Sequence, residues 1–598
     1  MQEERPKTGS LFDRIADSLC SIAVHSAAAH LSFICSSWRP TIGAATLAVP
    51  RRHTSTARSW IGPRIALGLE VAAVGVLLLV AAAVRYDGFM VVPRLADETL
   101  EVVLGLRLAR DGGLPLVGYA PHIGSLFSYL VAAAFLLVGP KIEAGRLVVL
   151  TAGTLTVIPT YLLARDLGQV GGGSLMRGRL AGLIAAFLLV LSGPHIVTSS
   201  RIAYANSLTP LFTMLGLWLV QRAMRDRSHL MLILSGASFG LALQTAVSAL
   251  TVGPGVAAAL LLPMLAELRR SGWRALGTVW PRPRTVLWTG LVGLLMVANL
   301  VIYSLLNRAG TVSTSGNRIG RYVGEDGWTA WGWGERLLGL LQATALAVGS
   351  RTSEVDAESW QLLSPFVLVA VGLALLGLWV AARRGVWLPL LVTVSVLVTV
   401  SLLNGRVEPI VPRVRHYATL VPLGMVMIAL GLVWLSEWAA SWRRSAGRWL
   451  GFALLLLVPT FLAGGSMLTY QEYEAERLTR PDKNNGPYLA VLASVAASGP
   501  TDERLYLDQE LNELLTLSGG RMITHLRYAF SVTGQEFDTI QVDDDRLPIG
   551  RSGNNSRRLI LHAETVPEAL TRYRLVPLPG EPGEGAPLRA FRAYPLEP

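Results

Sequence analysis

The sequence predicts a polytopic α-helical membrane protein of about eleven spans that ends in a small extracytoplasmic α/β domain. Three observations carry this expectation. Apolar residues make up 52% of the 598-residue chain, and the mean hydropathy is +0.45. Only 16% of residues are charged, against about a quarter in a soluble domain. Apolar runs close to the ~20 residues a spanning helix needs recur as far as residue 468, and the composition then turns polar.

The runs that read as spans cover 61–84, 144–164, 180–191, 207–220, 229–246, 248–265, 286–306, 362–382, 386–403, 418–437 and 449–468. One more apolar run, 123–139, sets Ser125, Ser128 and Tyr129 on one helical face and could span or lie against the surface. Charge decides between these. The connectors 165–179, 221–227, 267–284, 382–384 and 442–448 are all basic, and the positive-inside rule gathers them in the cytoplasm only if 123–139 does not cross. This yields a multi-pass plasma-membrane protein with its N-terminus inside and its C-terminal domain outside. Residues 1–60 read as a flexible cytoplasmic extension and 61–469 as the membrane domain. Within that domain the first extracytoplasmic loop, 85–143, carries surface helices. Other outward segments are 192–206, the long 307–361 loop and 404–416.

Residues 470–598 read as the extracytoplasmic α/β domain. A polar stretch, YQEYEAERLTRPDKNNGP, forms the linker, and ERLYLDQ, LNELLTL, RMITHLRYAF and RRLILHAE then alternate strand-like and helix-like patterns. Asn554-Asn555-Ser556 fits a glycosylation sequon, a short motif that carries meaning only in a eukaryotic secretory chain. The net charge of +12 comes from basic loops between apolar runs, which points away from nucleic acid. All but three of the 53 basic residues are arginine, a side chain suited to bidentate phosphate contacts. Cys20 and Cys35 form no metal-ligand pattern.

Three polar features stand on the predicted outer side. Asp97 and Glu98 open a short surface helix, near 96–110, that the Asp111-Gly-Gly sequence stops. Acids there suit the helix dipole, and a carboxylate beside a membrane-surface cleft can equally serve as general base or metal ligand. Asp97 and Glu101 share a face by their spacing. Tyr119-Ala-Pro-His122 follows on the same loop, with His122 a candidate acid, phosphate contact or helix start. SSRIAYANS offers Arg201 and Asn206 as hydrogen-bonding groups and Tyr204 as a stacking surface, or else an interfacial anchor. Finally, NGRVEPIVPRVRHYATLVP places Arg406, Arg413 and Arg415 on an outward loop, against the bias of every other loop. Guanidinium groups there suit a lipid phosphate, with pairing to Glu408 or lipid headgroups as the alternative.

The order of these features resembles the membrane GT-C glycosyltransferases, in particular the protein O-mannosyltransferases and the lipid A aminoarabinose transferases. The resemblance runs through Asp97-Glu98, Gly113-Leu-Pro115, Tyr119-Ala-Pro-His122, Tyr129-Leu130, Gly139, Arg146-Leu147, Tyr161 to Arg165, Ser200-Arg201 and Arg415-His416-Tyr417. It implies sugar transfer from a polyprenyl-phosphate donor to a lipid, glycan or protein acceptor at the outer membrane face, with inversion at the anomeric carbon. It further implies Asp97 as base or as an acid associated with a divalent cation, magnesium or manganese, with Glu98 in support. Tyr119, His122, Arg201, Tyr204, Asn206, Arg413, Arg415, His416 and Tyr417 would contact the substrates. The family's Lys-Pro or His-Pro-Pro element is matched only by Pro121-His122, and its second acid after the third span is absent, with Asn206 the nearest polar residue. Two other classes compete. A flippase of lipid-linked glycans would carry ionisable groups near the midplane of its spans, and an envelope scaffold would have no cavity joining Asp97 to the outer arginines.

Overall fold

The computed structural model describes residues 63–90, 96–171, 173–272, 280–307, 330–350, 363–403, 417–442, 445–479, 486–498, 504–508, 511, 522–540, 557–581, 586 and 588–596. Helices dominate up to residue 497. In chain order they are α1 (Pro63–Tyr86), α2 (Ala96–Asp111), α3 (Leu126–Val138), α4 (Ala144–Leu155), α5 (Val157–Gln169), α6 (Leu175–Val190), the short α7 (Gly193–Ile196) and α8 (Thr209–Asp226). Then follow α9 (His229–Thr245), α10 (Gly253–Ser271), α11 (Pro283–Met296), α12 (Ala298–Leu306), α13 (Ala330–Val348), α14 (Pro365–Arg383), α15 (Leu388–Leu403), α16 (Leu420–Ala440), α17 (Ser445–Thr479) and α18 (Gly486–Ala497). A bilayer core has no water to satisfy peptide groups, so apolar runs of this kind close their hydrogen bonds internally as helices.

Among the described residues six helices are long and apolar enough to cross a membrane: Ile65–Tyr86, Ala144–Gln169, Val247–Arg270, Pro365–Arg383, Leu420–Ala440 and Ser445–Ala475. Two bent pairs, α6 with Gly193–Arg201 (65°) and α11 with α12 (62°), pass the same test taken together. Every run expected to span falls on a helix. The run 123–139 becomes α3, whose 13 residues would extend about 20 Å, short of the ~30 Å hydrocarbon core.

The chain divides into two compact units, one formed by Met1–Val71 and Leu432–Val458, the other by Ala72–Gly431 and Pro459–Pro598. In the first unit, Trp438 and Trp442 meet edge to face at 4.7 Å, and the buried Ser436 hydroxyl bonds back to the Val433 carbonyl at 2.8 Å. The second unit contains everything that follows. Its helices approach closely where small residues allow it: a β-carbon on Gly240 of α9 would sit 2.6 Å from the Gly293 carbonyl oxygen of α11, the small-residue contact typical of membrane helices. Asp166 on α5 is buried and accepts hydrogen bonds from Trp218 (3.1 Å) and Arg225 (2.8 Å) of α8, which ties these helices at their arginine-rich end.

Two stretches differ from expectation. The 307–361 loop contains α13, which lies across helix ends. Its Arg336 bonds to Ser401 in the last turn of α15, Val348 packs on Gly424 near the start of α16, and Gly349 packs on Val367 near the start of α14. The linker expected after residue 470 is helical through Thr479. The sequence EYEAERL consists mostly of good helix formers, and the first proline after them is Pro481.

Beyond residue 504 lies a five-stranded sheet with strands β1 (Leu505–Asp508), β2 (Phe537–Ile540), β3 (Arg557–His562), β4 (Tyr573–Pro577) and β5 (Leu588–Pro595), ordered β2-β1-β3-β5-β4. β1 pairs parallel with β2 and β3, while β5 pairs antiparallel with β3 and β4. Alternate side chains point to opposite faces. Leu505, Leu507, Ile560 and Ala590 pack with α18 and α19 (Met522–Thr533), whereas Tyr506, Leu559, Leu561 and Phe591 pack toward α20 (Val566–Arg572). The expected α/β character holds, with ERLYLDQ and RRLILHAE giving β1 and β3 and RMITHLRYAF giving α19; LNELLTL lies largely outside the described residues.

Helix α19 also joins the core formed by α2 and α3. Tyr528 and Val532 pack with Val102, Leu106, Phe127 and Val131, the Tyr528 hydroxyl donates to the Ile142 carbonyl (3.2 Å), and Arg110 donates to the Val532 carbonyl (3.1 Å). Because Tyr528 is buried, Tyr528→Ala should destabilise this docking by about 3 kcal/mol. Tyr528→Phe, which keeps the ring, should lose about 1 kcal/mol. Thermal unfolding in detergent reads both, and an alanine variant that melts like the wild type would contradict the docking.

Candidate functional site

Four segments meet where α1 ends. The first turns on Arg85, which is fully buried. Its Nε donates to Ser199 Oγ (3.1 Å), its Nη1 to the Ala81 carbonyl (3.1 Å), and its Nη2 lies 2.7 Å from His195 Nδ1. Arginine only donates, so Nδ1 is the acceptor and the His195 proton belongs on Nε2. That nitrogen is buried without a partner among the described residues.

The sequence explains the break that brings these groups together. Ser192-Gly193-Pro194 interrupts α6, with Pro194 at the first turn of α7, and a π-helical turn, Val197–Arg201, follows. The break between α6 and α7 frees peptide groups on either side of Ser192. Ser466 of α17 satisfies two of them, donating to the Leu191 carbonyl (2.7 Å) and accepting from the Gly193 amide (2.8 Å). Thr198, Ser199 and Ser200 each bond back to the carbonyl four residues earlier, a habit that bends helices.

Arg201, expected to contact substrate, is held by three partners of the chain itself. It is fully buried, donates to the Arg85 carbonyl (3.2 Å) and Glu474 Oε1 (2.6 Å), and contacts the Tyr470 hydroxyl. It thus ties the π-turn to α17, where the Tyr470 hydroxyl and the Glu474 carboxylate, one turn apart, both accept from it. Glu98, expected in support of Asp97, is paired with an arginine. Arg146 of α4 grips it in a bidentate pair (2.8 and 3.1 Å) with both side chains fully buried, and donates in addition to the Phe89 carbonyl (2.6 Å). One turn on, Glu101 accepts the Ala205 amide (2.7 Å). Helix α2 is therefore fastened on two sides, and Asp97 occupies its first turn, four residues before Glu101; the Asp97 side chain is outside the described residues.

Beside these ties lies a small crevice, with room for about one water, lined by Thr198, Ile202, Tyr204, Asn206, Ser207, Pro210 and Ala418. Two expected substrate contacts, Tyr204 and Asn206, thus share one wall with the residue that follows Tyr417. Tyr417 itself is buried. A hydroxyl pair, Thr213 and Thr419 at 3.0 Å, holds the two segments together. Arg413, Arg415 and His416 fall outside the described residues. Tyr119 and His122, both half-buried, sit on a tight hairpin closed by the Val117–Gly124 bridge and by the Gly118 amide on the Ile123 carbonyl (2.7 Å).

Arg336 of α13 was not among the sequence candidates. Its Nε donates to the Ser401 carbonyl (2.8 Å), and Trp333 donates to the Ser401 hydroxyl (3.0 Å). Both terminal nitrogens of Arg336 are buried with no acceptor among the described residues. Ser401 lies two residues before the end of α15, where the arginine-rich 404–416 segment begins. Among the described residues no three His, Cys, Asp or Glu side chains gather; Asp97, the acid expected beside a divalent cation, has its side chain outside them. Arg85, Arg146, Glu474 and Arg336 share one signal that sequence reading could have used. Each is a charge within or at the edge of an apolar run, and in a membrane such charges are rarely idle.

No protein-family model matches the sequence, and neither does any curated protein. Solved structures do match. ArnT from Cupriavidus metallidurans bound to undecaprenyl phosphate aligns with a TM-score of 0.51 at 13% identity, covering 89% of this chain and 98% of that one. The apo form of the same protein gives 0.52 at 12% identity over 88% and 98%. The archaeal oligosaccharyltransferase AglB from Archaeoglobus fulgidus, in complex with an inhibitory peptide and a dolichol-phosphate, gives 0.45 at 13% identity over 89% and 74%. The chain is similar in fold to ArnT over nearly the whole of both proteins, and the expected GT-C-like membrane architecture with a small C-terminal α/β domain is borne out.

Proposed function

We propose that this chain transfers a sugar from a polyprenyl-phosphate-linked donor to a hydroxyl-bearing lipid, glycan or protein acceptor at the outer face of the membrane. The observation that carries the reading is Arg336. A buried guanidinium with two unused nitrogens is costly unless an anion completes it, and a phosphate matches the planar fork of donors. Arg413 and Arg415, on the 404–416 segment, are the other arginines we assign to that phosphate. The fold shared with ArnT, a protein crystallised with undecaprenyl phosphate, supports a lipid-linked donor.

In this mechanism Asp97 takes the proton of the acceptor hydroxyl as its oxygen bonds to the anomeric carbon. The bond from that carbon to the phosphate oxygen breaks on the opposite side, which inverts the anomeric configuration. The departing polyprenyl phosphate keeps the electron pair, and the arginines stabilise its charge. Tyr204 and Asn206 contact the sugar, and positioning of the two substrates supplies much of the remaining rate.

The distribution of buried charge favours transfer over flipping. Arg85, Arg146, Arg201 and Glu474 lie at the ends of the spans that contain them, not at their centres, whereas a transporter site sits near the midplane. The test is transfer from labelled polyprenyl-phosphate sugars by the purified protein, with glycolipid and glycoprotein profiling of a deletion strain to identify the acceptor. Arg336→Gln should raise the donor KM about 10- to 100-fold, the loss of a charge-assisted contact, with a smaller change in kcat. An unchanged donor KM would remove Arg336 from the site.

A further inference from the structure

The break between α11 and α12 is tied to the hairpin that carries Tyr119 and His122. At the bend the Leu300 and Val301 amides both turn to the Val297 carbonyl, leaving the Met296 carbonyl without a helical donor. Gln244, near the end of α9, fills that gap with its Nε2 at 2.6 Å. The same amide is hydrogen-bonded to Asn299, in the first turn of α12. Asn299 then reaches out of the helix bundle, and its Nδ2 donates to the Leu116 carbonyl (2.7 Å) and to Ser125 Oγ (3.2 Å), the two flanks of the hairpin.

The hairpin base also fits closely against α9. The Gly124 amide donates to the Gln244 carbonyl (2.9 Å), and a β-carbon at Gly124 would stand 2.9 Å from the Gln244 Cα. Only glycine lets the two backbones come so near. From the other side, the Tyr129 hydroxyl of α3 donates to the Pro115 carbonyl (3.2 Å). Two amide side chains that served only to glue membrane helices would bond across helices. Here Gln244 does bond across helices, but Asn299 also spends its amide donor on a loop carbonyl and a loop-flank hydroxyl.

We infer that Gln244 and Asn299 are positioning residues: seated on the α11–α12 bend, they hold the 117–124 hairpin so that Tyr119 and His122 stand at the height where sugar and acceptor meet. This rests on the transfer reading proposed above, and its test has an arm independent of that reading. Hydrogen exchange of the full-length protein in nanodiscs should show the 117–124 amides exchanging ~10-fold faster or more in Asn299→Ala, the effect of losing one or two net hydrogen bonds. Exchange within α11 and the unfolding temperature should stay near wild type. Asn299→Gln, which keeps an amide donor, should recover much of the protection, and Gly124→Ala should reproduce the loosening with Asn299 intact.

In the transfer assay Asn299→Ala should raise the acceptor KM about 5- to 10-fold with kcat within about 3-fold. Wild-type exchange at 117–124 in both Asn299→Ala and Gly124→Ala would overturn the inference. So would faster exchange with an unchanged KM in an enzyme that transfers sugar. If the wild type transfers no polyprenyl-phosphate sugar at all, the functional reading fails and the positioning role fails with it, while the exchange arm still decides whether the pin exists.

Discussion

Glu98→Ala is expected to cost the membrane domain about 3–5 kcal/mol, because it strands a buried guanidinium. Arg146 and Glu98 are both fully buried and bonded through two parallel contacts of 2.8 and 3.1 Å. The remaining bond of Arg146, to the Phe89 carbonyl, supplies an acceptor but no charge. Removing the carboxylate therefore leaves a cation in a low-dielectric interior, where its solvation loss is no longer offset. Removing both partners should be far milder. Glu98→Leu combined with Arg146→Met replaces the pair with apolar atoms of similar size, an exchange that is often close to neutral. Thermal unfolding in detergent distinguishes the cases: Glu98→Ala melts well below wild type, and the double variant recovers most of the loss. A single variant as stable as wild type, or a double variant no better than the single, would refute this account of the pair. The exposed Arg504–Asp538 contact at 2.9 Å offers the contrast, since solvent screens it and its loss should scarcely register.

The same pair shows what sequence could and could not reveal. Span positions were legible because apolar length is a property of consecutive residues, and the strands ERLYLDQ and RRLILHAE because their short leucine-rich patterns are local. Partners at long separation left no such trace. Arg146 lies 48 residues beyond Glu98, and Glu474 lies 273 beyond Arg201. Nothing in DETLEVV distinguishes an acid facing a cleft from one buried against an arginine. The Tyr204–Asn206 stretch was singled out for its polar residues, and the helix break at Ser192-Gly193-Pro194 is what turns it toward a crevice. Arg336 escaped notice because α13 was expected to be loop, and a charge in a loop looks solvated. Only the helix lying across the ends of α14, α15 and α16 makes it a buried one.

Asp97→Asn should lower kcat by about 10²- to 10⁴-fold, the range general-base catalysis contributes, while leaving the donor KM near its wild-type value. The amide is isosteric with the carboxylate but cannot accept the acceptor's proton. The fold should not suffer, because α2 is held by the Glu98–Arg146 pair and by Glu101 on the Ala205 amide, neither of which involves Asp97. That separation makes the comparison within one helix decisive. Substitution at Glu98 should lose stability first and activity as a consequence, whereas substitution at Asp97 should lose turnover at unchanged stability. Glu101→Gln can still accept from Ala205 and serves as the control, with activity within about 10-fold of wild type. Steady-state kinetics of the three variants alongside their unfolding temperatures reads the whole pattern. An Asp97→Asn enzyme that turns over within 10-fold of wild type would remove the base from Asp97. Glu101, one turn along the same face, would then become the carboxylate to test.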